Sequence, residues 1–221
     1  MTHTVAIMQP YFIPYAGYFR LFAASDLFVV YDCVQFPRRG WVHRNRLVDR
    51  NGALRWLTLP LRSAPQDVLI RDLQFTSDAQ MLVTQRLRPF DVAADDQEGA
   101  RGLVEAIRRV QGSPVDYIVR TLDYVVEYLG LPRNMIRSSA LGVPSSYRGQ
   151  DRILEIARRV GANRYINAPG GRSLYDPATF DGAGIELRFL PDYPGPVTSI
   201  LSRILAEPKE QIAKEVRAPF G

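Results

Sequence analysis

Residues 9–19 read Gln-Pro-Tyr-Phe-Ile-Pro-Tyr-Ala-Gly-Tyr-Phe, a run that combines one amide, three phenols and two prolines. Gln9, Tyr11, Tyr15 and Tyr18 carry polar tips that a core would have to satisfy. They are therefore candidates for a pocket, where amide and phenol groups can orient a carbonyl or donate to its developing oxyanion. Phe12, Phe19 and Phe22 read equally well as core. Gly17 would let a ligand approach the backbone, and the amides at a helix start favour an anion there.

A second segment, from Tyr31 to Leu47, holds Asp32, Cys33, Gln35, Trp41, His43, Arg44, Asn45 and Arg46. Asp32 is the candidate general base. Alternation over 41–46 places His43 and Asn45 on one face of an extended arm, and Arg44 and Arg46 on the other. Two guanidinium groups on one face suit bidentate recognition of phosphate or carboxylate. The competing reading is a charged edge strand that discourages sheet pairing. That reading is preferred at Arg38, Arg39 and Arg50 and contested at Arg44 and Arg46. Cys33 reads as a half-buried apolar thiol rather than a nucleophile.

The elements that must position these groups are strands interleaved with helices. Val5–Met8 and Leu27–Tyr31 are short uninterrupted apolar runs, as in a parallel sheet covered on both faces, with a helix over Gly17–Ala24 between them. Both segments then fall just past carboxyl ends of strands, where open α/β sheets bind ligands. Asn51-Gly52 marks a hairpin between Val42–Val48 and Trp56–Leu61. Val68–Ile70, with Leu73 and Phe75 following, reads as a further extended piece. Helices are expected at Gln80–Leu87, Gly99–Val110 and Val115–Leu129, with Pro89 and the acidic Asp95-Asp96 stretch between the first two. Ser113 and Pro114 start the third helix, and Gly130 closes it. Next come a strand at Met135–Ala140, a helix at Asp151–Val160, a strand at Arg164–Asn167, a Pro169-Gly170-Gly171 loop and a last strand at Ile185–Leu190. The pattern predicts an α/β fold: a mainly parallel open sheet of about five strands with flanking helices, nucleotidyltransferase- or Rossmann-like, and a helical segment at about 80–130.

Composition sets limits. The 221 residues include one cysteine and two histidines, His3 and His43, which excludes a disulfide framework and any His- or thiolate-held metal site; no metal site is expected. The net charge of +5 comes from 28 basic residues, of which all but Lys209 and Lys214 are arginine, a skew that fits GC-rich coding. The first apolar run has no basic region before it and is interrupted at Pro10 and Pro14, so no secretory signal is read. No run of about 18 apolar residues occurs, so no membrane span is expected and the reading is cytoplasmic.

Met8-Gln9-Pro10-Tyr11, Pro14-Tyr15, Gly17-Tyr18-Phe19, Tyr31-Asp32, Val34-Gln35-Phe36, Trp41 and Arg44-Asn45-Arg46 together resemble the WbqC-like family. The likeness continues at Leu57–Leu61, Asp151–Leu154, Tyr165-Ile166-Asn167, Gly170-Gly171 and Leu174-Tyr175, and is weakest between about 80 and 112. It implies one WbqC-like α/β domain over 1–221 and a bacterial polysaccharide or O-antigen setting, with a proposed glycine transferase role. The positions that match the family pattern most closely are Gln9, Tyr15, Tyr18, Asp32, Gln35, Arg44, Asn45 and Asn167. Tyr11, Trp41, Arg46, Gly170 and Gly171 lie in the same matched motifs and join them as binding candidates. The chain departs from the pattern at Cys33, where a polar residue is common, and at His43, often Asn.

The layout of the first 36 residues is also similar to the His-x-Gly-His nucleotidyltransferases, with Gln35-Phe36 in a matching place. Tyr15-Ala16-Gly17-Tyr18 puts tyrosines where those enzymes have histidines. A neutral phenol lacks the imidazolium that stabilises phosphoryl transfer. Three readings follow. The first is transfer of an activated aminoacyl group, glycyl among them, to an amine or hydroxyl of a small-molecule or sugar-nucleotide acceptor, with an aminoacyl-adenylate, a carrier-protein thioester or charged tRNA as donor. The second is an ATP-dependent enzyme that adenylates a carboxylate and joins it to an amine. The third is a non-catalytic binder of nucleic acid or of an assembly partner.

Overall fold

The computed structural model describes residues 2–90 and 98–218; the Asp95-Asp96 stretch lies outside them. A five-stranded, wholly parallel sheet is built from β1 (Thr4–Met8), β2 (Leu27–Val30), β5 (Met135–Arg137), β6 (Arg164–Asn167) and β7 (Glu186–Phe189). Their order across the sheet is β5-β2-β1-β6-β7. Taken in chain order these are the third, second, first, fourth and fifth parallel strands, the arrangement of doubly wound nucleotide-binding folds. The chain reverses its direction of growth between β1 and β6, and that crevice is where such sheets bind ligands.

Apolar residues cover both faces, as the unbroken runs require. Val5 and Ile7 of β1 and Val29 of β2 pack with Ile153, Leu154 and Ile156 of α5 (Gly149–Arg159) and with Phe180 of α6 (Pro177–Gly182). On the opposite face, Ala6, Phe28 and Val30 join Phe19 and Phe22 of α1 (Ala16–Ala23) and the stripe Ile118, Leu122, Val125 and Val126 of α4 (Pro114–Tyr128). Phe22 stacks on Phe28 with centroids 3.9 Å apart. Ser113 and Asp116 form a reciprocal capping box at the start of α4, and Gly130 leaves it at φ +63°. Ahead of α4 in the chain lie α2 (Ala79–Leu87) and α3 (Glu98–Arg108), so the helical middle segment is as the sequence predicts.

β3 (Arg44–Val48) and β4 (Leu54–Thr58) form a separate antiparallel hairpin. Asn51-Gly52 does close it, but within a five-residue loop rather than a two-residue turn. Asp49 organises that loop: its Oδ1 accepts from the amides of Asn51 and Ala53, and Arg55 pairs with its other oxygen at 2.6 Å.

Several elements differ from expectation for local reasons. Val68–Ile70 is not a strand; it meets the rest through single bridges, Gln35 to Leu69 and Leu61 to Phe75, with a 3-10 turn at Ile70–Asp72. The strand expected over Met135–Ala140 stops at Arg137 because Ser138 and Ser139 turn toward Asp32. The loop after Asn167 is a 3-10 segment, Pro169–Leu174. Helices α6, α7 (Ile200–Ala206) and α8 (Lys209–Val216) have no counterpart in the sequence reading; α6 and α7, at six and seven residues, are shorter than any helix the pattern reveals. Among the described residues no helix is long and apolar enough to cross a membrane, and no group of three or more His, Cys, Asp or Glu residues could hold a metal ion.

Candidate functional site

A cavity of about 620 Å³ opens at the switch between β1 and β6. Gln9, Tyr11, Tyr15 and Tyr18 enter it from the segment after β1. Asn167, Gly170 and Gly171 enter from the segment after β6, and Trp41, Asn45 and Arg46 from the hairpin arm. The segments after β1 and β6 meet here because the two strands are neighbours in the sheet, and the hairpin arm supplies a third side.

The backbone of the first stretch is strained and pinned. Ile13 sits at φ +40°, the one non-glycine positive φ among the described residues and costly for a β-branched side chain. Asn45 Nδ2 donates to the carbonyls of Phe12 and Ile13, at 3.1 and 2.8 Å, and Ser199 Oγ donates to the Ile13 carbonyl at 2.7 Å. The amides of Phe12 and Ile200 donate to Trp41 and Pro14 carbonyls, tying the loop to the hairpin arm and to α7. Strain held by this many bonds is typical of binding sites. Asn45 borders the cavity, but its amide is occupied by this loop.

The phenols differ in what they have left to offer. Tyr18 is buried and its hydroxyl donates to the Gln9 carbonyl at 2.8 Å, so it fixes Gln9 instead of meeting a ligand. Tyr11 and Tyr15 border the open space. Burial pushes both pKa values up, Tyr11 further through neighbouring Tyr15, while Arg20 opposes the rise at Tyr15. Both remain protonated donors at neutral pH. A Cβ on Gly17 would overlap the rings of Tyr15 and Tyr193, so Gly17 is required by packed tyrosines rather than by ligand approach. Gly171 is likewise needed to seat the Asn167 amide, whose Oδ1 accepts from Ala168 N at 2.8 Å.

Asp32, Gln35 and Arg44 are not among the residues that line the cavity. Asp32 does follow β2, but it faces β5 rather than β1. Fully buried, its carboxylate accepts from Arg137 Nε (2.7 Å), Ser138 Oγ (2.9 Å), Ser139 N (2.9 Å) and Ser139 Oγ (2.8 Å). A carboxylate so fully bonded anchors the β2 and β5 ends and has no lone pair free for a ligand proton. Gln35 donates to the Gln66 carbonyl beside a second hollow of about 410 Å³, bordered by Phe36, Pro37, Arg38 and Arg39. Arg44 folds back onto the carbonyls of Arg39 (2.9 Å) and Gly40 (3.4 Å). Cys33 is buried with Arg152 Nη1 3.2 Å from its sulfur, held by a neighbour rather than presented.

Tyr31, Leu174 and Tyr175, which belong to the family-like motifs but are not among the site candidates read from the sequence, also border the cavity, as does Val197, which the sequence does not mark. Tyr31 carried a signal, standing at the carboxyl end of an apolar strand run. Leu174 and Val197, 67% and 70% exposed, form an apolar rim that only the tertiary arrangement reveals.

The chain is 28% identical over 195 residues to an uncharacterized protein, Rv1507c, of Mycobacterium tuberculosis, covering 86% of this chain and 83% of that one. No solved structure matches it. The model of the WbqC-like protein family matches residues 9–197, from the glutamine that opens the cavity to the valine on its rim, and the chain belongs to that family.

Proposed function

We propose that this protein is a transferase that passes an activated aminoacyl group, glycyl in the first instance, to an amine or hydroxyl on a nucleotide-linked sugar, in polysaccharide or O-antigen assembly. The observation that carries the reading is the convergence of Gln9, Tyr11, Tyr15, Asn167 and Arg46 on one cavity at the strand switch. In the step, the acceptor nitrogen or oxygen attacks the acyl carbon, the new C–N or C–O bond forms, and the bond to the adenylate, thiol or tRNA leaving group breaks. The acceptor's proton leaves with that group or to solvent. Gln9 and the protonated phenols of Tyr11 and Tyr15 orient the acyl carbonyl and donate to its oxyanion. Arg46 holds the acceptor's phosphate. Asp32 supports the wall as an anchor and takes no part in proton transfer.

The test incubates the protein with glycyl-adenylate, a glycyl carrier thioester or glycyl-tRNA and a panel of nucleotide-linked amino sugars, and follows acceptor mass. A glycyl mass gain that depends on Tyr15 supports the reading; no gain with any donor rejects it. The strand order favours a second reading, ATP-dependent adenylation, because doubly wound sheets of this order bind nucleotides at the same crevice. Thermal stabilisation by magnesium-ATP together with pyrophosphate release would select it.

A further inference from the structure

The chain has two tryptophans: Trp56 stands on the exposed face of the hairpin, and Trp41, which lines the cavity, lies against it. Their rings lie 5.4 Å apart with a 36° tilt, and they are 37% and 45% exposed. Arg46 is set against both, its guanidinium carbon 5.9 Å from the Trp41 centroid and 5.5 Å from that of Trp56. Arg44 covers Trp56 at 4.3 Å. Among the described residues neither arginine has a carboxylate partner, unlike Arg55 of the same hairpin, which pairs with Asp49 at 2.6 Å. An edge strand protected by charge alone would have no use for two exposed indoles, which cost solvation without a partner.

The geometry points to a nucleoside diphosphate subsite on this hairpin: a base stacks on the exposed indoles and the diphosphate is bound by Arg46. Stacking on aromatic rings tolerates any base and is strengthened by an adjacent guanidinium. Arg46 also borders the cavity, so a sugar linked through that diphosphate would extend inward toward Gln9, Tyr15 and Asn167. The nucleotide would then sit outside the strand switch and the sugar inside it. This rests on the transferase reading only for what occupies the inner cavity.

Because Trp41 and Trp56 are the sole tryptophans, intrinsic tryptophan fluorescence reports on this subsite alone. UDP and ADP titrated into the full chain are expected to quench it saturably. Pyrophosphate is expected to displace them without quenching. Arg46→Gln should weaken UDP binding by about tenfold or more, and Trp56→Ala by about fivefold or more, with circular dichroism unchanged. No quenching by either nucleotide, or an equal response in Arg46→Gln, overturns the proposal. Tighter quenching by a single-stranded oligoribonucleotide, falling steeply with salt, overturns it in favour of a nucleic-acid surface. Quenching by UDP without transfer from any donor upholds the subsite and rejects the transferase reading. Transfer to a nucleotide-linked sugar, with no quenching by that sugar nucleotide, UDP or ADP, does the reverse.

Discussion

The amide of Asn45 bonds the carbonyl of Ile13 at 2.8 Å and so holds, from the neighbouring hairpin, the positive-φ residue of the loop that carries Tyr11 and Tyr15 into the cavity. Ser199 reaches the same carbonyl from the start of α7. Asn45→Ala removes two buried hydrogen bonds and is expected to cost about 2–3 kcal/mol, and Ser199→Ala about 1 kcal/mol. Because both bond one oxygen, the double variant should lose less than the sum. Urea unfolding of the four proteins measures this. Strict additivity would mean that the loop is not held as one unit.

Gly170 and Gly171 are adjacent yet predict opposite responses. A Cβ on Gly170 meets nothing within 4 Å, whereas on Gly171 it overlaps the Asn167 amide. Gly170→Ala should leave stability unchanged. Gly171→Ala should displace Asn167, cost about 1–3 kcal/mol, and weaken binding in the cavity. Thermal unfolding and titration with a nucleotide-linked sugar compare them. Equal behaviour would remove Asn167 as a positioned group.

The Asp32 carboxylate is expected to act on stability first. With the buried charge gone, Asp32→Asn turns an amide N–H toward Arg137 Nε and Ser139, which are themselves donors, and should cost about 2–4 kcal/mol. At a temperature where the variant stays folded, binding in the cavity should persist. A fully stable variant without transfer activity would restore Asp32 as the base.

This contrast shows how far the sequence is legible. β1 and β2 are built on uninterrupted apolar runs, Val5–Met8 and Leu27–Val30, while β6 (Arg-Tyr-Ile-Asn) and β7 (Glu-Leu-Arg-Phe) carry polar residues as well; all four can be placed from local pattern alone. Strand order cannot, because it depends on which distant runs pair, and it is order that decides the neighbour each strand end faces. Asp32 was correctly placed after β2, but β5 on its far side takes it away from β1. Arg44 and Arg46 share one face in an alternating strand, as read, with Asn45 buried opposite. Their periodicity is identical, yet one guanidinium turns back onto carbonyls four and five residues away and the other reaches the cavity. Alternation fixes a face and leaves the direction along it to neighbours such as Trp41 and Trp56.

His43 lends the fold an acid sensitivity of its own. Burial, with the charge of Arg44 adding to it, pushes its pKa down from 6.5 to about 4, and its Nδ1 is buried without a partner beside the Phe36 ring. The folded chain therefore keeps His43 neutral where the unfolded chain binds a proton. Its contribution is complete above pH 6.5 and is lost as the pH falls toward about 4. The partly solvated ring limits the loss to about 1–2 kcal/mol. The carboxyls of Asp49, Asp116, Asp176, Glu186 and Glu215 are held below their ordinary 3.8 and 4.5 by hydrogen bonds and arginines, so their own losses begin lower, as the pH falls below those values. Between about pH 4.5 and 6.5 the slope should belong largely to His43. His43→Phe keeps the edge contact with Phe36, removes the unpartnered nitrogen, and should flatten the stability profile across that window. Urea midpoints at half-unit pH steps would show it, and a variant that keeps the wild-type slope would assign the sensitivity elsewhere.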